Sequence, residues 1–255
     1  MDTWLRKQFG LDGKRAVVTG ASRGIGRAIA VALAAARAEV LVHYHKGAAE
    51  AEETVRMIGG RAWSASADLT NSDSTNALFD QVKRRWSALD ILVNNAGDMV
   101  TRTPIDLIDD ELMKSIIEVN LGSCLRACRS AIPLLQRGAK PAIVNMTSMA
   151  AHHGGLGGTS VYAASKGAIL TLTRSLAREL APQIRVNAIS PGVIMTELHD
   201  RLTPADKLVQ TAASTPLGRN GTPEECAAAA VFLCGASASF ITGEVIEING
   251  GLYMT

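Results

Sequence analysis

Along the chain, short apolar runs alternate with longer stretches rich in helix formers. The runs Arg15 to Thr19, Glu39 to His45, Ala62 to Ala67, Leu89 to Val93, Ala142 to Met146, Arg185 to Ile189 and Glu244 to Ile248 have the length and content of buried strands. Between them, Arg27 to Ala38, Ala48 to Ile58, Ser72 to Trp86, Glu111 to Gln136, Tyr162 to Ala181 and Glu224 to Gly235 read as helices. Thr222 as N-cap, Pro223 at the first position and Glu225 at the third give the last helix a clear start. Seven strands separated by helices predict an α/β fold built on a parallel, doubly wound sheet with helices on both faces. No linker, internal repeat or low-complexity tract breaks the alternation, so residues 1–255 are expected to form a single domain. One stretch departs from the pattern: Val193 to Pro216 is polar and helical only in patches, and such a connection at about 193–216 has the character of a mobile lid.

The first strand runs into Gly20-Ala21-Ser22-Arg23-Gly24-Ile25-Gly26 and then a helix. Glycines at such a turn let the backbone bend tightly and let a pyrophosphate reach unpaired N–H groups at the helix start. The turn therefore predicts a dinucleotide cradle on Gly20, Ser22, Arg23, Gly24, Ile25 and Gly26 in a Rossmann-type fold, although its spacing is GxxxGxG and not GxGxxG. An acid at the end of the second strand would bond the adenosine ribose of NAD; here that end reads Tyr44-His45-Lys46. Arg23 with His45 or Lys46 is suited to a 2′-phosphate, so NADP(H) is expected over NAD(H), against the plainer alternative of solvated cations. Asp68-Leu69, past the third strand, offers a carboxylate to an adenine amine or to the next helix as a cap. In Asn94-Asn95-Ala96-Gly97, asparagines can tie strand ends while Ala96 and Gly97 leave room for a ligand.

Acid–base chemistry is suggested further on. Tyr162 and Lys166 are four residues apart on a helix and share a face, so an ammonium beside the phenol should draw its pKa down from about 10. Ser148 follows the fifth strand, at the carboxyl edge where open α/β sheets bind ligands. Asn120 interrupts a long helical pattern, with Pro133 expected to bend its far end; if buried, Asn120 needs a reason such as a water or a backbone kink. Pro191-Gly192 marks a rigid break after the sixth strand, with Val193 and Thr196 beyond it. His152 and His153 lie on the glycine-rich loop Met149 to Val161, but no third ligand accompanies them, and no metal is expected.

Taken together, Thr19-Gly20-x-x-x-Gly24-x-Gly26, Asn94-Asn95-Ala96-Gly97, Asn120, Ser148, Tyr162-x-x-x-Lys166 and Pro191-Gly192 resemble the short-chain dehydrogenase/reductase family over essentially the whole chain. The closest flavour is similar to bacterial 3-oxoacyl-acyl-carrier-protein reductases and glucose dehydrogenases. The resemblance implies that Tyr162 is the general acid in reduction, Lys166 bonds the nicotinamide ribose and lowers the tyrosine pKa, Ser148 bonds the substrate oxygen, and Asn120 holds a relay water. It likewise implies that Asn94, Ala96 and Gly97 line the cofactor groove, Asp68 and Leu69 meet adenine, and Pro191, Gly192, Val193 and Thr196 receive the nicotinamide end. Two departures stand out: the Ser148 to Tyr162 interval is one residue longer than is most common, and the terminal Asn249-Gly250-Gly251 replaces a more usual Asp-Gly-Gly. The family is mostly tetrameric, so a homotetramer is expected.

Composition narrows the partners. A net charge of +2, 20% charged and 4% aromatic residues give neither a basic surplus nor a stacking platform for nucleic acid. No run is long enough to span a bilayer and the N-terminus lacks a signal-peptide core, so a cytoplasmic protein is expected. Cys124, Cys128, Cys226 and Cys234 read as buried reduced thiols. Met149, Leu156, Met195 and Leu198 suggest an apolar substrate lining, with His152, His153 and His199 as possible polar contacts. The expected function is hydride transfer between a nicotinamide cofactor and a small carbonyl or alcohol substrate, foremost an NADPH-dependent ketone or 3-oxoacyl reductase. An alcohol, sugar or polyol dehydrogenase is the alternative, and a non-catalytic NADP(H) sensor the third reading.

Overall fold

The computed structural model describes residues 3–254, with the side chains of 199–201 left aside. Helix α1 (Thr3–Phe9) precedes β1 (Arg15–Val18), α2 (Gly24–Ala35), β2 (Glu39–Tyr44), α3 (Ala48–Ile58), β3 (Ala62–Ser66), α4 (Ser72–Trp86) and β4 (Ile91–Asn94). Then come α5 (Asp110–Ile117), a π-helical turn (Glu118–Gly122), α6 (Ser123–Leu135), β5 (Ala142–Met146), α7 (Ala150–His153), α8 (Ser160–Glu179) and β6 (Arg185–Pro191). The chain finishes with α9 (Glu197–Leu202), α10 (Ala205–Ser214), α11 (Pro223–Cys234), a short 3₁₀ turn and β7 (Val245–Ile248). All pairings are parallel, in the order β3-β2-β1-β4-β5-β6-β7.

Successive strand side chains point to opposite faces, and at the centre of the sheet both faces are covered, which is why β1, β4 and β5 are mostly apolar and buried. Ala16 and Val18 of β1, Ile91 and Val93 of β4 and Val144 of β5 pack under α2 and α11, against Ile29, Leu33, Ala230 and Leu233. Val17, Leu92 and Ile143 face the other way, against Leu78 and Phe79 of α4, Ala127 of α6 and Leu176 of α8. A fully buried leucine such as Leu33 or Leu92 contributes about 2 kcal/mol of burial each, so the sandwich is held from both sides. Strand order reverses between β1 and β4, and a crevice opens there at the carboxyl ends of the strands.

The expected elements hold with five differences. α1 was not foreseen. α2 begins at Gly24 rather than Arg27, because the glycine turn itself supplies the first helical residues. The single helix expected over Glu111 to Gln136 is interrupted at Glu118–Gly122, and the loop after Ser148 contains α7. The cap of α4 is Asn71, whose side chain accepts the Ser74 amide at 2.9 Å, and not Asp68, whose Oδ1 accepts the Thr70 amide and hydroxyl. At the start of α11, Glu225 accepts the Thr222 amide at 2.8 Å.

Candidate active site

The crevice is a cleft of about 520 Å³ running from the glycine turn to the α7–α8 loop. Gly20, Arg23, Gly24, Ile25 and Gly26 line one end. A Cβ at Gly26 would stand 2.2 Å from the Gly20 carbonyl oxygen and 2.5 Å from Asn95 Nδ2, so only glycine lets α2 start this close to the β1 turn. Asn95 Nδ2 donates to the Thr19 and Gly20 carbonyls at 2.9 and 3.0 Å, and Thr19 Oγ1 accepts the Asn95 and Ala96 amides. Buried His43 closes the other side: the Gly20 amide donates to Nδ1 at 3.1 Å, leaving Nε2 to donate to Ala67 O at 3.1 Å. Burial holds that imidazole neutral, its pKa pushed down to about 4. With α2's first N–H groups facing a volume of this size, the residues present fit a dinucleotide phosphate.

At the other end, Ser148, Tyr162 and Lys166 converge from β5 and α8. Ser148 acts on the Tyr162 phenol, lowering its pKa, and accepts the Ala150 amide at 3.2 Å. Lys166 is buried, with Nζ donating to Met146 O at 3.0 Å and lying 5.7 Å from the Tyr162 ring centroid. Thr147 Oγ1 donates to Lys166 O at 2.8 Å, tying α8 to the end of β5. The expected fall in the tyrosine pKa is corrected here: the phenol is pushed up, first by burial and further by the charge of Asp98, while Ser148 acts in the opposite sense. Burial also pushes Lys166 down, to about 8.

Asn120 is fully buried in the π-helical turn, and the backbone kink anticipated for it is that turn. Its Nδ2 donates to Asp98 O at 2.6 Å and Ile116 O at 2.8 Å, while Oδ1 has no protein partner. A Cβ at Gly97 would lie 2.6 Å from that oxygen and 3.2 Å from Lys166 Nζ, so glycine keeps a gap open between the two.

Several expected residues are placed elsewhere. Asn94 does not line the cleft: it points into the core, donating to Asn145 Oδ1 at 2.8 Å and Cys128 Sγ at 3.1 Å, and Asn95 faces the ligand space instead. Its direction follows from strand alternation, since Asn94 shares the parity of core-facing Leu92. Met195 turns into a neighbouring groove with Met57 and Pro223, because the Ile194 bridge to Gly221 buries Ile194 and swings the next side chain outward. Tyr44 packs on the core beside α2, Leu69 is buried, and Ala96 supports the wall with its backbone 3.0 Å from a Gly20 Cβ position. Ser22, His45 and Lys46 lie outside the cleft proper; Ser22 Oγ is 3.5 Å from a Gly47 Cβ position, which brings the glycine turn beside the β2–α3 loop. Pro191, Gly192, Val193 and Thr196 line the middle, and Met149, His153, Leu156 and Leu198 the outer wall, joined by Asp98 and Arg102, which sequence reasoning missed. His199 lies outside the described side chains. Among the described residues no three His, Cys, Asp or Glu side chains gather as metal ligands, and no helix is long and apolar enough to cross a membrane.

A family model described as Enoyl-(Acyl carrier protein) reductase matches residues 20–253. The 3-oxoacyl-[acyl-carrier-protein] reductase FabG of Aquifex aeolicus is 37% identical over 251 residues, covering 95% of this chain and 98% of that protein. Among solved structures, a short-chain dehydrogenase/reductase (glucose/ribitol dehydrogenase) from Brucella melitensis is similar with a TM-score of 0.92 and 34% identity, over 97% of this chain and all of that one. The 3-ketoacyl-(acyl-carrier-protein) reductase of the same organism, complexed with NADH, is similar with a TM-score of 0.89 and 32% identity over 96% of this chain and all of that one.

Proposed function

The chain belongs to the short-chain dehydrogenase/reductase family of NAD(P)-dependent oxidoreductases, and from that premise we propose that it is an NADPH-dependent ketone reductase whose first substrates to try are 3-oxoacyl thioesters. The observation that supports this reading is the convergence of Ser148, Tyr162 and Lys166 on one wall of the cleft that begins at the glycine turn. When bound, the nicotinamide supplies the hydride. The chain's own residues supply position and the proton. Ser148 Oγ bonds the substrate oxygen as charge develops there, and the Tyr162 phenol, kept protonated by its surroundings, gives up its proton to that oxygen. Lys166 holds the nicotinamide ribose, and a water at the Gly97 gap between Asn120 Oδ1 and Lys166 Nζ returns the proton from solvent. Asn95, Gly97, Pro191, Gly192, Val193 and Thr196 border the cofactor, while Asp68 bonds adenine and Arg23 with His45 or Lys46 selects the 2′-phosphate.

In this reading residues 1–255 act as one domain. The lid at about 193–216 opens for the cofactor, since Thr196 and Glu197 lean on the glycine turn, each 3.5 Å from a Gly24 Cβ position. The working form is a cytoplasmic homotetramer, supported by the exposed apolar Met113, Ile117 and Leu125 on α5 and α6. A second reading, oxidation of a polyhydroxylated alcohol or sugar, is favoured by the polar Asp98, Arg102 and His153 at the substrate end. Initial rates of NADPH and NADH consumption with a 3-oxoacyl thioester, wild type against Tyr162→Phe, test the proposal. Turnover should be selective for NADPH and fall by about 10²–10⁴-fold in the variant while NADPH binding persists. Turnover only with sugars or polyols would favour the second reading, and an indifferent Tyr162→Phe would discard both.

A further inference from the structure

Two features of the sequence play no part in the chemistry above: His152, and the Asn249-Gly250-Gly251 turn that replaces the more usual aspartate. The fold brings them together. His152 sits on α7, four residues beyond Ser148, with its ring outside the cleft. The ring stacks on Tyr253, centroids 5.0 Å apart and planes 25° from parallel. Its Nε2 lies 2.9 Å from Glu247 Oε1 on β7, and both atoms are shielded from solvent and make no hydrogen bond. The second carboxylate oxygen, Oε2, accepts from Asn249 Nδ2 at 3.1 Å. Asn249 also donates to Tyr253 O at 2.9 Å and accepts the Gly251 amide at 3.0 Å. The chain after β7 is thus folded back onto the helix that follows Ser148.

We propose that His152 is a positioning residue: set against Glu247 and stacked on Tyr253, it latches the C-terminal segment to α7 and sets the Met149 to Leu156 wall against the substrate. The proposal rests on the reading that Ser148 and this wall meet the substrate. Its chemistry is local. The imidazole stands against Oε1 of the half-buried Glu247 carboxylate and Asn249 supports Oε2, so losing the ring leaves half of that carboxylate unsupported and frees Tyr253 from its stack. The groups facing His152 are Glu247 from β7 and Tyr253 from the C-terminal segment. On its own helix, His153 has Nδ1 occupied by the Gly155 amide at 3.1 Å and its ring 6.4 Å from Tyr253. The Asn249 departure also finds a reason: an aspartate there has no proton to give Glu247 Oε2 and would set a second carboxylate against the first.

The test is steady-state kinetics at saturating NADPH on wild type, His152→Gln, Asn249→Asp and the double variant, with NADPH affinity measured by fluorescence titration. His152→Gln should raise the substrate KM about five- to tenfold with NADPH affinity unchanged. Asn249→Asp should act in the same direction, and the double variant should be no worse than the poorer single one. A His152→Gln enzyme with wild-type KM, or strictly additive effects, would overturn the latch, as would a parallel loss of NADPH affinity. If no substrate is turned over, the functional reading fails separately and the latch is still decided by hydrogen exchange of residues 149–159. That exchange should be faster in His152→Gln than in wild type at about pH 6, and equal rates would overturn the proposal.

Discussion

The two ends of the cleft are built from different materials. At the glycine turn the wall is backbone: Gly20 and Gly26 in near contact, the Thr19 and Gly20 carbonyls held by Asn95, and the Gly20 amide held by His43. At the far end the wall is side chains: Asp98 and Arg102 of the β4–α5 loop, His153 of α7, Leu156 of the α7–α8 loop and Leu198 of α9, with Arg102 Nε donating to Leu202 O at 3.1 Å to join the β4–α5 loop to α9. A backbone wall tolerates one residue type at each contact and so writes itself into sequence spacing. A side-chain wall needs only a loop of adequate reach, so substrate choice can drift while the cofactor end stays fixed.

The sharpest way to break this contrast is to add one methyl group at each end. Gly26→Ala forces a Cβ to 2.2 Å from a backbone oxygen, which must shift. It is expected to cost about 3 kcal/mol of stability and at least about 100-fold in NADPH affinity, read by thermal unfolding and fluorescence titration. Gly157→Ala on the substrate loop meets nothing within 4 Å. It should change stability by less than about 0.5 kcal/mol and leave turnover intact. Unchanged NADPH binding in Gly26→Ala would remove the glycine turn from the cofactor site.

Lys166 stands at the end opposite the glycine turn, and its burial sets function against stability. An ammonium pushed down to about 8 from an ordinary 10.5 is held in the fold at a cost of about 3 kcal/mol. Lys166→Met should therefore stabilise the protein, by about 1–2 kcal/mol after the loss of the bond to Met146 O, while lowering turnover about 100-fold. In the wild type, reduction should decline as pH rises through about 8, because Lys166 loses its charge there while the Tyr162 phenol, pushed upward, still carries its proton. That limb should be absent from the kcat/KM profile of Lys166→Met. A less stable Lys166→Met protein would mean that packing around the lysine stem outweighs the cost of the buried charge.

Much of this was legible in the sequence because spacing and period encode it. The strand Ala142–Met146 and the helices Ala48–Ile58 and Ser72–Trp86 fall where their patterns put them, and Ser148, Tyr162 and Lys166 meet because each follows from its place on an element. The exchange of Asn94 and Asn95 was readable too, since strand alternation points Asn94 to the side of Leu92. The sign of the Tyr162 shift was not, for it depends on burial and on Asp98 reaching the phenol from another loop. Nor was the His152–Glu247 pair, whose partners are brought together only when β7 closes the sheet.

The smallest expected effect concerns Arg23, which caps the cofactor end yet belongs by its exposure to the world of side chains. It precedes α2 in extended backbone, and the adjacent β2–α3 loop carries exposed His45 and Lys46, with no acid at the end of β2. An exposed cation facing a 2′-phosphate contributes through a screened charge, so Arg23→Ala should lower the NADPH-to-NADH ratio of kcat/KM by only about tenfold, roughly 1.4 kcal/mol. The NADH value itself should hold, because the phosphate is the group that NADH lacks. Raising the salt to about 0.5 M should shrink the wild-type preference toward that of the variant, since the Debye length falls there to about 4 Å and an exposed pair is screened. A ratio that moves with neither the substitution nor salt would assign cofactor choice to the backbone cradle, and the contrast between the two ends would then hold for the nucleotide as well as for the substrate.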